Sequence, residues 1–249
     1  MSLVLKNPHS VLAALQTRPG DVVDIRLPAG KPSPAWADVI ELAKQHGVPI
    51  RTNLAEEPRR SNTDQKFERT GAAQATVRER NGLLIEELFA NAQADPGLWI
   101  ALDCLQDPHN VGAIFRTASF FGIKGIVMTR DRSAPLTATV YDVAAGGMES
   151  VPFGEPTNLA RAMNVAKTAG VWLLGSSEHA AQDIREIPRD RPWLLILGNE
   201  ELGLRRLSLD KCDRVCKLSS RGTVPSLNVS VAAGVLMAEL TRDFPMSPA

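Results

Sequence analysis

Three stretches of this chain combine apolar runs with polar residues at spacings that could hold a ligand. The first is Leu102-Asp103-Cys104-Leu105-Gln106-Asp107-Pro108-His109-Asn110-Val111-Gly112-Ala113-Ile114-Phe115-Arg116-Thr117-Ala118. An arginine between Phe115 and Thr117 on a mainly apolar helix needs a reason to be there: a structural carboxylate or an anionic ligand. In the second, Trp193–Leu197 is apolar at every position and stops at Gly198-Asn199-Glu200-Glu201-Leu202-Gly203. Such a run reads as a strand covered on both faces, as in a parallel sheet. Open α/β sheets take ligands at the carboxyl ends of their strands, where this glycine-bracketed loop would lie. The third is Ser226-Leu227-Asn228-Val229-Ser230-Val231-Ala232-Ala233-Gly234. Asn228 suits the start of a helix, where it can cap free N–H groups. Ser230, Ala233 and Gly234 form a small-residue stripe that lets another backbone approach. Gly-x-Glu-x-x-Gly or such a stripe, taken singly, is more often packing than a site.

Together, in this order and spacing, the three stretches resemble the SpoU family of RNA ribose 2′-O-methyltransferases, within the SPOUT class. Asp-Pro-His-Asn-Val-Gly-Ala-x-x-Arg-Thr-Ala looks like its first motif, Leu-Gly-Asn-Glu-x-x-Gly its second, and Ser-Leu-Asn-Val-Ser-Val-Ala-Ala-Gly its third. The likeness runs from about Leu98 to Leu240 and is nearest to bacterial 23S rRNA guanosine 2′-O-methyltransferases. Asp131-Arg132-Ser133-Ala134-Pro135-Leu136 and Glu149-Ser150-Val151-Pro152 also resemble that subgroup. The resemblance implies a deep trefoil knot in the C-terminal parallel sheet, S-adenosyl-L-methionine as cofactor, and a homodimer whose active site is shared between chains. It also implies a small L30e-like α/β domain in front of the knot, which Lys6-Asn7-Pro8-His9-Ser10-Val11 resembles at its start. The expected organisation is residues 1–80 as an L30e-like RNA-binding domain, 81–97 as a linker, and 98–249 as the methyltransferase domain.

Carried over from the matching motifs, Asn110, Arg116, Glu200, Ser226 and Asn228 form the expected active-site set. In the family proposal the arginine, close to an RNA phosphate, acts as base. A guanidinium stays protonated in proteins, so a phosphate clamp is the simpler role. Asn110 could cap its helix or position Arg116, and Glu200 could hold a polar group of the site or pair with Arg116. Ser226 and Asn228 can hydrogen-bond the ribose or the polar tail of the cofactor. For the cofactor, Gly175, Gly198 and Gly203 let backbone come close to an adenosyl group. Leu197, Leu218 and Leu227 supply apolar walls, and Asn199 belongs to the same loop. Glu201, where a small residue is common in the family, and Pro225 before Ser226 depart from the pattern. No Gly-x-Gly-x-x-Gly follows a strand, so an ordinary dinucleotide fold is not supported.

Lys and Arg balance Asp and Glu at 28 each. Phosphate contacts need basic side chains, so any RNA surface on a neutral chain is local. Arg59, Arg60, Lys66, Arg69, Arg78 and Arg80 are the densest basic cluster, either an RNA contact or a solvated face. Arg69 to Ala75 departs from the His-Gln-Gly-like turn usual in the family. Cys104, Cys212 and Cys216 are too few and too odd for a disulfide framework and point to a reducing cytoplasm. No metal site is argued: Cys212 and Cys216 lack a second ligand pair, His9, His46 and His179 lack partners by spacing, and His109, adjacent to the first motif, is a lone loop histidine. No apolar run is long enough to span a membrane, and the first residues do not read as a signal peptide.

The elements that would carry these residues alternate. The pattern predicts a helix from Ser10 to Leu15, a strand at Val22–Leu27, an amphipathic helix from Pro34 to Gln45, a short strand at residues 48–51, and a helix from Asn81 to Ala94 that buries Leu84, Ile85, Leu88 and Phe89. From Leu98 on, strands at 98–102, 125–129, 171–175, 193–197 and 214–218 alternate with helices from Asn110, Tyr141, Asn158 and Asn228. That alternation predicts a parallel α/β sheet covered on both faces; the knot rests on the resemblance alone. A short, nearly neutral tail after Thr241 and the presence of an N-terminal domain favour rRNA over tRNA as partner. The alternative of a different class is a non-catalytic RNA-binding assembly factor.

Overall fold

The computed structural model describes residues 1–30, 32–52, 73–199 and 202–244. The first unit comprises β1 (Ser2–Leu5), α1 (Pro8–Thr17), β2 (Val22–Leu27), α2 (Ala37–Gln45), β3 (Ile50–Thr52) and β4 (Gln74–Arg78). A short α3 (Ile85–Leu88) leads to β5 (Leu98–Leu102), α4 (Pro108–Phe120), β6 (Gly125–Met128), α5 (Ala138–Ala144), α6 (Gly147–Ser150) and β7 (Phe153–Gly154). Then come α7 (Leu159–Thr168), β8 (Trp172–Ser176), β9 (Gln182–Asp183), β10 (Trp193–Leu197), α8 (Arg206–Leu209), β11 (Arg214–Lys217) and α9 (Val229–Thr241).

The second unit is built on a parallel sheet in the order β7-β6-β5-β10-β8-β11-β9. Its central strands are apolar throughout because both faces are covered. Side chains alternate between faces. Leu98, Ile100, Leu102, Leu195 and Leu197 meet α4 and α9 through Val111, Ile114, Phe115, Leu236 and Met237. Trp99, Ala101, Leu194 and Ile196 meet α7 through Leu159, Ala162, Met163 and Ala166. The last strands do not follow chain order: β10 inserts between β5 and β8, and β11 lies outside β8. The carboxyl ends of β8, β10 and β11 are therefore neighbours.

The first unit is a sheet in the order β1-β4-β2-β3, antiparallel except for the β2–β3 pair. It joins the second unit through a polar seam. Ser10 Oγ donates to the Tyr141 carbonyl at 2.6 Å, and the Asn7 backbone N–H donates to Asp142 Oδ1 at 2.9 Å. The Arg18 guanidinium forks onto Glu149 with both contacts at 2.7 Å.

Several local expectations change. Helix α1 begins before Ser10 and is capped by Asn7, whose Oδ1 accepts from the His9 N–H at 2.9 Å. Helix α4 likewise starts at Pro108, capped by Asp107, so Asn110 lies inside its first turn. The helix expected from Asn81 to Ala94 is regular only at Ile85–Leu88, and Leu84 is exposed. Arg80 belongs to the seam rather than to an RNA face. It donates to the Met148 and Val151 carbonyls at 2.6 and 2.8 Å and lies over the Phe153 ring. Arg59, Arg60, Lys66, Arg69, Glu200 and Glu201 lie outside the described residues.

Candidate active site

Between the loops that leave β8, β10 and β11 opens a pocket of about 980 Å³. Its position at the carboxyl edge is where open α/β sheets take ligands, and its size suits a small molecule. Of the expected cofactor residues, Leu197, Gly198, Asn199, Gly203, Leu218 and Leu227 line it, as do Ser226 and Asn228. Ser176, Ser177 and Ser219 add polar lining.

The loop after β10 closes on itself. Asn199 N–H donates to the Gly203 carbonyl at 3.1 Å, and Gly203 N–H donates back to Asn199 O at 2.9 Å. Gly203 has φ +65°. The Asn199 side chain accepts from the Leu202 N–H at 3.2 Å and donates to the Cys104 carbonyl at 3.0 Å, which ties this loop to the one after β5. At Gly198, a Cβ would stand 2.2 Å from the Gly203 carbonyl carbon and 2.3 Å from the Leu204 nitrogen. Only glycine lets the two arms of the loop pass this closely.

A second tie lies beneath. Asp103, fully buried, donates its N–H to the Leu197 carbonyl at 2.8 Å. Its carboxylate accepts from Ser208 Oγ at 2.6 Å and pairs with the Arg205 guanidinium at 2.5 Å. Buried carboxylates persist only when paired and hydrogen-bonded. Asp103 is not among the expected site residues, although a carboxylate directly after an all-apolar strand is the signal for it. Burial raises the Cys104 thiol and pushes Cys212 and Cys216 up to about 12, so none of the three is poised as a thiolate nucleophile.

The third stretch meets the first through Asn228. Its Oδ1 accepts from the Ser230 and Val231 N–H groups at 2.9 and 3.4 Å, which caps α9, and its Nδ2 donates to Asn110 Oδ1 at 3.1 Å. Asn228→Ala should therefore lower stability by about 0.5–2 kcal/mol, read by denaturant unfolding. Asn228→Asp should recover the cap while setting a carboxylate oxygen against Asn110 Oδ1 in place of the hydrogen bond.

Two expected site residues stand apart from the pocket. Gly175 is buried, with Cys212 Sγ 3.0 Å and Leu204 Cδ1 3.1 Å from where its Cβ would be, so it underlies the pocket floor. Arg116 is exposed on α4, pairs with no carboxylate among the described residues, and is not part of the pocket lining. No group of three or more metal-ligating side chains lies together among the described residues, and no described helix is long and apolar enough to cross a membrane. A smaller cavity of about 170 Å³, lined by Leu84, Glu155 and Arg161, lies away from these loops.

Residues 97–238 match the model of the SpoU rRNA methylase family. The chain belongs to this family. The three SpoU stretches fall inside the matched region, and so do all the pocket-lining loops. Curated relatives agree along nearly the full length. The chain is 36% identical to the 23S rRNA (guanosine-2′-O-)-methyltransferase RlmB of Pseudomonas putida, with 94% of each chain covered. It is 38% identical to the putative TrmH family tRNA/rRNA methyltransferase YacO of Bacillus subtilis, over 82% of this chain and 81% of that one. The SpoU fold recurs in AviRb of Streptomyces viridochromogenes, solved in complex with AdoMet, at a TM-score of 0.76 and 19% identity, covering 97% of this chain and 89% of that one.

Proposed function

We propose that this protein transfers the methyl group of S-adenosyl-L-methionine to the ribose 2′-hydroxyl of a guanosine in 23S rRNA, in the cytoplasm. The observation that carries the reading is the pocket at the β8–β10–β11 edge, built by the second and third motifs and tied through Asn228 to the first. The names of the curated relatives supply the substrate class.

The pocket fits the cofactor. Leu197, Leu218 and Leu227 offer apolar walls to an adenosyl group, and the Gly198–Gly203 loop brings backbone donors and acceptors to the pocket surface. When bound, the cofactor supplies a sulfonium-activated methyl. Ser226 at the pocket and Asn228 at its hinge with Asn110 are placed to hydrogen-bond the ribose or the amino-acid tail. Glu200 is the proposed acidic member of the set. Arg116 clamps the phosphate beside the target nucleotide, so that the 2′-hydroxyl approaches in line.

Arg116 lies outside the pocket lining of its own chain, which supports a homodimer in which it serves the pocket of the other copy. Apolar exposure on the same side of the molecule supports this too: Phe120 is 82% exposed on α4, and Val231 and Val235 are about half exposed on α9. The whole loop 221–228 is also exposed. Residues 1–80 serve as an L30e-like RNA-binding domain, 81–97 as linker and 98–249 as the methyltransferase domain. Its deep trefoil knot finds support in the insertion of β10 between β5 and β8 and in the return of α9 against α4.

The test is methyl transfer from labelled cofactor to 23S, 16S and tRNA transcripts and to ribosomal precursors, followed by nuclease mapping. One 2′-O-methylated guanosine in 23S rRNA is the expected product. Methylation confined to tRNA would move the substrate to the tRNA class that the YacO name also carries, and silence on every RNA would favour a non-catalytic assembly factor.

A further inference from the structure

The turn after β6 holds an arginine in an unfavourable backbone conformation. Arg132 has φ +60°, the left-handed region that bulky residues avoid and that glycine adopts freely. The turn is firmly built: Thr129 Oγ1 donates to the Asp131 carbonyl at 3.0 Å and lies 3.1 Å from Ser133 Oγ. Ala134 N–H donates to the Leu105 carbonyl at 2.8 Å, which anchors the turn to the β5–α4 loop. Among the described residues none bonds to the Arg132 side chain, which is exposed. The β5–α4 loop to which Ala134 anchors the turn also carries Cys104, whose carbonyl holds Asn199 of the pocket loop. The turn thus stands at the carboxyl edge of the sheet and carries two exposed arginines, Arg130 and Arg132.

Strained residues cluster where their side chains act on something outside the scaffold. We propose that Arg132, with Arg130 beside it, is a phosphate-contacting arm that holds the RNA backbone at the rim of the methyl-transfer pocket. The proposal rests on the RNA reading above and adds a contact surface on the methyltransferase domain itself. A guanidinium fork matches a phosphate, and a chain of zero net charge must concentrate such contacts locally.

The experiment compares wild type, Arg132→Gly and Arg132→Lys in three measurements: thermal midpoint, AdoMet affinity, and binding to a 23S rRNA fragment across a salt series. Glycine relaxes the turn, so Arg132→Gly should keep the midpoint and the AdoMet affinity. It should bind RNA severalfold more weakly, with a slope of log K against log salt shallower by about 0.7–0.9. Arg132→Lys should retain the slope at intermediate affinity. Wild-type RNA affinity and slope in Arg132→Gly would overturn the proposal, as would loss of AdoMet binding, which marks a structural role. In either case wild-type methylation of the fragment would leave the enzymatic reading standing. A wild type that neither binds nor methylates RNA would overturn both.

Discussion

Arg116→Ala is expected to reduce kcat about 10²-fold, the order lost when a reacting group is held about 1 Å out of place, while AdoMet affinity stays at the wild-type value. The affinity should hold because Arg116 does not line the pocket and pairs with no described carboxylate. Equilibrium binding of AdoMet and single-turnover methylation separate the two quantities. A loss of cofactor affinity together with rate would make Arg116 a structural residue. Arg116→Lys retains charge but not the fork, so it should recover only part of the rate.

Gly198→Ala should damage the other half of the reaction. The added methyl would stand 2.2 Å from the Gly203 carbonyl carbon, a backbone atom that cannot step aside without opening the loop. Overpacking of this kind costs about 1–3 kcal/mol. If the loop opens to relieve it, the AdoMet dissociation constant should rise about 5- to 150-fold. Calorimetric titration measures this directly, and an unchanged constant would remove the loop from the cofactor site. The two variants also test the shared site together. A mixed dimer of Arg116→Ala and Gly198→Ala chains contains one site with an intact loop and an arginine from the other copy. Mixing two impaired proteins should therefore restore methylation; no recovery would mean that each chain uses its own arginine.

What was legible in the sequence was what burial writes plainly. β5, β6 and β10 are apolar at every position because both sheet faces are covered, and Asn158 and Asn228 cap the helices they precede. β1 and β4 were missed. β1 buries only Leu5 fully, and β4 buries only the small Ala75 and Val77. The helix expected through Ala94 fails for a tertiary reason. The Trp99 indole N–H donates to the Leu88 carbonyl at 3.1 Å, and Ala92 N–H turns instead to Phe89 O at 3.1 Å. Local periodicity cannot report a tryptophan that arrives from the next strand. The site motifs were legible as a set, whereas the ties between them were not. Asn199 to Cys104, Asn228 to Asn110 and Asp103 to Ser208 join residues about a hundred positions apart.

The seam between the two units has a consequence for how a target is chosen. Helix α6 is wedged between them. At Gly147 a Cβ would stand 2.5 Å from the Phe115 carbonyl oxygen and 2.9 Å from the Arg116 nitrogen, and at Gly146 one would stand 3.1 Å from the Ala13 Cβ. Glu149, on the same short helix, is gripped by Arg18. The first unit and the backbone that carries Arg116 are thus pressed onto one spacer with no slack in it. An RNA held by residues 1–80 would be presented at a set distance from the methyl donor. If residues 1–80 anchor RNA as proposed, this spacer would act as a ruler, and a bulge inserted between anchor and pocket would move the mark rather than erase it.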